Sequence, residues 1–194
     1  TSDGLKQFNL PFGDMLVNVF VVWDENSKKA WVFDTGPMAE PILDFLNQGN
    51  LTVDAIFLTH THRDHIACLD ELIKGTNNPL VYVHELELFD GCIPIQESFD
   101  HSIDSLSLVA KHTYGHSIGG MTYVIDGLEK PVAIVGDADL RSSLSELPVL
   151  TEDGNRLRVS QQHVVTSEVR VGRDVCVRRS RSFGPGAVAE HDER

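Results

Sequence analysis

The stretch Thr59-His60-Thr61-His62-Arg63-Asp64-His65 constrains this chain more than any other feature. It follows the apolar run Val53–Leu58 (VDAIFL), which reads as a short buried strand. It precedes Ile66–Ile73 (IACLDELI), where Ile66, Leu69, Leu72 and Ile73 recur at helical spacing. Three imidazoles and a carboxylate therefore crowd into one strand-to-helix loop. His60 and His62 stand two apart in extended chain, so both side chains point to one side. Asp64 and His65 open the helix, and their directions diverge from the first pair. The loop offers a nitrogen pair and a nitrogen–oxygen pair, a donor set suited to Zn²⁺, Fe²⁺ or Mn²⁺. A solvated loop with a capping Asp64 is the alternative, but it has no need of so many ligand types in so short a span.

Around this loop the chain reads as alternating strands and helices. Met15–Trp23 (MLVNVFVVW) is a strand, Asp24–Ser27 a turn, and Ala30–Phe33 the returning arm of a hairpin. Asp34-Thr35-Gly36-Pro37 ends that arm with turn chemistry. Glu40–Asn47 carries Ile42, Leu43, Phe45 and Leu46 at spacings of an amphipathic helix. Leu80–Val83 is a further strand, followed by a helix over Glu85–Phe89. Gly91–Ser105 shows no clear periodicity. Leu106–Ala110, Met121–Ile125 and Val132–Val135 read as strands, the last two joined by a turn at Asp126–Lys130. The mixture predicts an α/β domain of sheets covered by helices.

Composition narrows the function. The 194 residues carry a formal net charge of −13, which argues against nucleic acid or an anionic membrane as the main partner. No apolar run approaches the roughly 20 residues that span a bilayer. No basic-then-apolar leader opens the chain, and its start at Thr1 is read as a trimmed terminus. Cys68, Cys92 and Cys176 are odd in number and widely spaced, so the expectation is a reducing, cytoplasmic setting without disulfides. The charge is uneven. Residues 1–150 hold a net −14 and residues 151–194 a net +1, with eight arginines and no lysine in the latter. The reading is a folded domain over 1–150 and an atypical Arg-rich tail over 151–194, disordered or translated out of frame.

The histidine loop resembles the HxHxDH signature of the metallo-β-lactamase fold superfamily. Three further segments agree in order and spacing. Val32-Phe33-Asp34-Thr35-Gly36 is similar to the family's early strand and Asp-Thr/Pro-Gly turn. Thr113-Tyr114-Gly115-His116-Ser117-Ile118-Gly119-Gly120 is similar to its TPGHTPG segment, and Val135-Gly136-Asp137 to its strand ending in GD. The resemblance implies a four-layer αββα sandwich, irregular at its C-terminal end. It implies that His60, His62 and His116 hold one metal, that Asp64 and His65 hold a second, and that Asp137 is shared. One or two Zn²⁺ are the expected cofactors, with Fe²⁺ or Mn²⁺ as alternatives. Asp34 is expected behind the ligands, fixing a histidine tautomer or the loop.

What the resemblance implies about activity is a zinc-dependent hydrolase that cleaves a small thioester or ester with a metal-activated hydroxide, Asp64 orienting the water. The glyoxalase II-like branch is the closest in pattern. Two rivals stand beside it. One is an oxidoreductase similar to persulfide dioxygenases, with a single iron on His60, His116 and Asp137. The other is a metal-binding chain made inactive by its altered tail. The family's pattern continues to a late histidine in a Gly-His-Gly-like turn, and neither His163 nor His191 matches it. Tyr114 and Ile118 also stand where the family usually has proline. His84, His101 and His112 read as structural or exposed, and Cys68 as a core residue.

Overall fold

The computed structural model describes residues 4–129, 131–137 and three later strands, 168–171, 175–179 and 181–183. Alternation along β2 (Met15–Trp23) explains the layering. Val19, Val21 and Trp23 face one apolar cluster, while Phe20 and Val22 face another. A strand buried on both faces belongs in the middle of a stack. β1 (Leu5–Phe12) and β3 (Lys29–Phe33) flank it antiparallel. β4 (Thr52–Phe57), β5 (Leu80–His84) and β6 (Ile93–Ile95) then add parallel to β3 in turn. Parallel neighbours need crossovers. They are supplied by α1 (Glu40–Gln48) and by two short helices, α2 (Arg63–Ile66) and α3 (Leu69–Gly75).

The second sheet is antiparallel from β7 (Asp100–Ile103) through β8 (Leu106–His112) and β9 (Met121–Asp126) to β10 (Val132–Val135). Within the Arg-rich segment, β12 (Val175–Arg179) runs parallel to β10. β11 (Glu168–Val171) pairs with β12, and β13 (Arg181–Phe183) pairs with β2. The boundary expected near Leu150 lies outside the described residues.

Two cores hold the layers together. Ile42 and Leu46 of α1 and Leu69 and Leu72 of α3 pack on the outer face of the first sheet. Phe33, Phe57 and Tyr82 of the first sheet meet Leu108, Tyr123 and Ile134 of the second. Phe57 stacks on Tyr82 with centroids 5.2 Å apart and on Phe33 at 5.5 Å. Among the described residues the order is helix, sheet, sheet, which is three layers of the expected sandwich. No helix among them is long and apolar enough to cross a membrane.

Two helices differ from expectation. The helix predicted over Ile66–Ile73 is two pieces, because Cys68 leaves the helical path at φ −111°, ψ 22°. Its N–H bonds the Gly36 carbonyl at 3.2 Å and its thiol donates to the Thr35 carbonyl at 3.1 Å. Tertiary bonding to the Asp34–Gly36 turn replaces the intrahelical bond. The helix predicted over Glu85–Phe89 is only a 3₁₀ turn, Glu85–Glu87, capped where the Leu86 N–H donates to His84 Nδ1 at 3.1 Å. Gly91–Ser105, which shows no periodicity, contains β6 and all of β7.

The two sheets are also tied at the hairpin end away from the crossovers. Asp24 Oδ1 accepts from the N–H groups of Asn26 (3.0 Å) and Ser27 (2.7 Å). Its Oδ2 accepts from the hydroxyl of Ser105, in the turn between β7 and β8. The Ser105 hydroxyl, followed by the Ser27 N–H, holds the Asp24 carboxyl well below the usual carboxylate range. A carboxyl with a lowered folded pKa stabilises the fold above about pH 4 and loses that contribution as the pH falls below it. Asp24→Ala is expected to destabilise by about 1–3 kcal/mol at pH 7. Urea unfolding checks this, and the gap between variant and parent should shrink at pH 3.

Candidate metal centre

Asp34, Thr59 and Glu87 each lie just beyond the carboxyl end of one of three adjacent parallel strands, β3, β4 and β5. This is where open parallel sheets usually bind ligands. The chain leaving β4 is pinned between the sheets. Leu58 N–H bonds the Tyr82 carbonyl at 2.9 Å, Tyr123 OH donates to the Leu58 carbonyl at 2.7 Å, and Met121 N–H bonds the Thr59 carbonyl at 2.8 Å. His60 follows this knot directly and is buried. His62 caps α2, and Asp64 and His65 lie within it, both buried. His116 comes from the loop between β8 and β9, closed by a Thr113 N–H to Gly120 carbonyl bond of 2.7 Å. Asp137 follows β10.

These segments converge. Ring centroids of His60 and His62 are 4.6 Å apart, those of His60 and His116 5.1 Å, and those of His60 and His65 4.1 Å. Nε2 of His116 lies 2.9 Å from Nδ1 of His62. Two nitrogens on one tetrahedral zinc stand roughly 3.3 Å apart, from bonds of about 2.0–2.1 Å. Donor atoms of His60, His62 and His116 all fall within 4.8 Å of one another, as do those of His60, His65 and Asp137. Nε2 of His65 is 3.4 Å from an Asp64 oxygen and 3.6 Å from an Asp137 oxygen, and that Asp137 oxygen is 3.5 Å from Nε2 of His116. All six residues named from the sequence are brought to one place. The arrangement adds one feature to the expected grouping, since His60 stands in both sets.

One carboxylate behind the cluster orients two of its rings. Asp34 is fully buried and holds φ at +57°, a left-handed conformation that an Asp tolerates better than most residues. It accepts from the Thr59 N–H and the Thr59 hydroxyl, both at 2.8 Å, and from His65 Nδ1 at 2.9 Å. The Thr59 hydroxyl gives its one proton to Asp34, so toward His60 it accepts, from Nδ1 at 3.0 Å. The network thereby assigns the His60 tautomer, leaving a lone pair on Nε2. Nε2 of His60 is buried and has no hydrogen-bond partner. Such a buried lone pair is costly unless something electrophilic faces it.

Burial, and then the neighbouring His65 charge, lowers the His60 pKa to about 4, so this ring is neutral at neutral pH. Burial opposes charge on His65 too, but the carboxylates of Asp34 and Asp137 outweigh it and raise its pKa to about 10. The same two carboxylates that favour a proton at His65 favour a metal cation there.

The turn after β3 also grips the loop. Thr35 N–H (2.8 Å), Thr35 Oγ1 (3.0 Å) and Gly36 N–H (3.1 Å) all donate to the His65 carbonyl. Gly136 permits close approach from the other sheet, because a Cβ there would lie 2.7 Å from Thr59 Oγ1 and 3.3 Å from His60 Nδ1. Asp34 stands behind the cluster as expected. The sequence assigns no role to Thr59, although it immediately precedes the first histidine. It assigns none to Glu87 either.

Other titratable groups lie outside the cluster. His84 stacks on His112 with centroids 4.1 Å apart, and burial followed by His112 lowers its pKa. His101 Nε2 pairs with Asp54 at 2.7 Å. Burial pushes the Cys68 thiol up to about 11, the behaviour of an inert core thiol. His163 and His191 lie outside the described residues.

Residues 12–91 match the profile of the metallo-beta-lactamase superfamily. Hydroxyacylglutathione hydrolases from Pseudoalteromonas translucida and Psychromonas ingrahamii are 35% and 32% identical to it over 121 and 112 residues. Over residues 12–91 the chain is similar to the metallo-beta-lactamase superfamily. Those alignments cover 61% and 57% of this chain but 45% and 43% of the relatives, so it spans less than half the length of these curated proteins. The probable metallo-hydrolase YqgX of Bacillus subtilis is 27% identical, with 69% of this chain and 71% of that protein covered. Among solved structures, the BLEG-1 B3 metallo-beta-lactamase superposes with a TM-score of 0.57 at 27% identity, covering 69% of this chain and 71% of that one. ETHE1 from Myxococcus xanthus shares the fold, with a TM-score of 0.59 at 19% identity and coverage of 69% and 56%.

Asp34→Ala would leave the Thr59 N–H, the Thr59 hydroxyl and His65 Nδ1 buried without an acceptor. The expected cost is about 3–5 kcal/mol of stability, read as a lower denaturation midpoint in urea.

Proposed function

We propose that this chain is a metal-dependent hydrolase of a small thioester or ester, similar in activity to glyoxalase II. One observation carries the reading: the Nε2 atom of His60 is buried without a hydrogen-bond partner, inside a cluster of imidazole and carboxylate donors from both sheets. This donor set fits a divalent cation, zinc above all, with Fe²⁺ and Mn²⁺ as alternatives. His60, His62 and His116 would hold one ion. Asp64 and His65 would hold a second, with Asp137 shared between them.

When bound, such ions supply a water of lowered pKa and polarise the carbonyl under attack. The protein's own groups do the rest. Thr59 and Asp34 keep the imidazoles of His60 and His65 in fixed orientation, so no ligand has to be ordered during turnover. Asp64, buried beside His65, is placed to accept a hydrogen bond from the attacking water and hold it. His62 and His116 are exposed and mark the side from which a substrate enters. Hydroxyacylglutathione hydrolases at 30–35% identity support thioester chemistry. The free thiols of Cys68 and Cys92 fit a cytoplasmic setting.

The test is metal content with turnover. The expected result is bound zinc and hydrolysis of an acyl-thioester, read by release of free thiol. His60→Ala and His116→Ala should each lose the first ion and bring hydrolysis to background. Asp64→Ala should lose most of the rate while the ion at His60, His62 and His116 remains. Full activity in either histidine variant would reject the assignment. A single iron with oxygen consumption and no thioester cleavage would replace the hydrolase by an oxidoreductase.

A further inference from the structure

Glu87 is the last residue of the 3₁₀ turn that follows β5, and it is half-buried. Its Oε2 accepts from the Thr61 N–H at 2.7 Å and the Thr61 hydroxyl at 2.8 Å. Its Oε1 accepts from the Gly119 N–H at 2.8 Å and from the Ser117 hydroxyl. Thr61 lies between His60 and His62, and Ser117 directly follows His116. The first loop hangs from the first sheet and the second loop from the other. One carboxylate thus binds two loops that the topology leaves on separate sheets. The second loop wraps closely, since a Cβ at Gly119 would lie 2.8 Å from Glu87 Cγ.

We propose that Glu87 is a positioning residue for the metal at His60, His62 and His116, fixing the gap between the two loops so that all three imidazoles reach one ion. The inference rests on the metal reading above. Each ligand loop is held at its roots by its own sheet, but their relative placement at the ligands depends on what crosses between them. A carboxylate is suited to this, because both oxygens accept and neither donates. Each oxygen takes one backbone N–H and one hydroxyl, so it fixes a main chain and a side chain on either side. Charge-assisted bonds of this kind are stronger than neutral ones. A loop already ordered does not have to be ordered by the ion. Glu87→Gln keeps the shape but replaces one acceptor with an NH₂ group. Either amide orientation then sets donor against donor, at Thr61 or at Ser117 and Gly119.

The experiment is a Zn²⁺ titration against a chromophoric chelator, with Co²⁺ absorption as a report on ligand geometry. It compares the parent chain, Glu87→Gln, Ser117→Ala and His116→Ala. The thermal midpoint in the presence of chelator is recorded for each. The expected result is a loss of affinity of about 10- to 100-fold in Glu87→Gln, of the size seen when groups behind metal ligands are removed. A changed Co²⁺ band should accompany it, while the midpoint in chelator stays close to the parent's. Ser117→Ala, lacking one of the four donors, should fall between. If Glu87→Gln binds as tightly as the parent while His116→Ala does not, the positioning role is wrong and the metal reading survives. If the parent itself binds no metal, both fall. If Glu87→Gln unfolds, Thr61→Val combined with Ser117→Ala decides, and unchanged affinity there overturns the role.

Discussion

The carboxylate of Asp34 sits at the end of β3 with donors on every side. Its position follows from a backbone turn that most residues resist, at φ +57°. From there it reaches Thr59 through two bonds and His65 through a third. Removing this group would not merely subtract three hydrogen bonds. It would strand three buried donors, and the strand end, the histidine loop and α2 would lose their common reference point. The adjoining Thr35 and Gly36 add bonds to the His65 carbonyl, so the turn grips both the side chain and the main chain of one residue.

What Asp34 does within the first sheet, the interface between the sheets does across them. His60, His62, Asp64 and His65 belong to one sheet's loops, and His116 and Asp137 to the other's. The cluster is assembled only when the aromatic core around Phe57 and Tyr123 brings the sheets together, with those two rings 5.3 Å apart. Tyr123 serves both levels, packing in that core while its hydroxyl bonds the Leu58 carbonyl next to the site. Close packing of this kind transmits small displacements, so the precision of the donor set is a property of the core as much as of the ligands.

The strands legible in the sequence are those with an apolar run dense enough to show, whether buried on both faces, as β2 is, or on alternate residues, as β8 is. β2, β4, β8, β9 and β10 are runs of β-branched and apolar residues, and no other element competes for them. Of the strands before residue 138, β1, β6 and β7 escape sequence reading, and each stands at the edge of its sheet; β11, β12 and β13 escape it too, within the segment read as an Arg-rich tail. An edge strand is half-exposed and short of apolar residues, as Leu5–Phe12 shows with Lys6, Gln7, Asn9 and Pro11 among its eight. The split of the helix at Cys68 is invisible for another reason, because the bonds that break it come from residues 35 and 36. The site divides the same way. Histidines packed into one loop advertise themselves through local density. Thr59 acts through a single hydroxyl, and Glu87 is one acid among the chain's 29, so neither carries a pattern that a linear reading detects.

The two adjacent rings His60 and His65 show how the partner behind an imidazole decides its chemistry. They are 4.1 Å apart and comparably buried, yet their pKa values move in opposite directions. His60 is backed by a neutral hydroxyl, and desolvation therefore wins. His65 is backed by Asp34 and faced by Asp137, and charge attraction wins over the same desolvation. The consequence is two unlike donor sets sharing one ring. The first, His60 with His62 and His116, is made of imidazoles alone. The second adds the carboxylates of Asp64 and Asp137 to His65. Imidazole sets favour zinc and its neighbours, while carboxylate-rich sets also admit harder ions such as manganese. The unlike protonation of the two rings arises from Thr59 standing behind one where Asp34 stands behind the other.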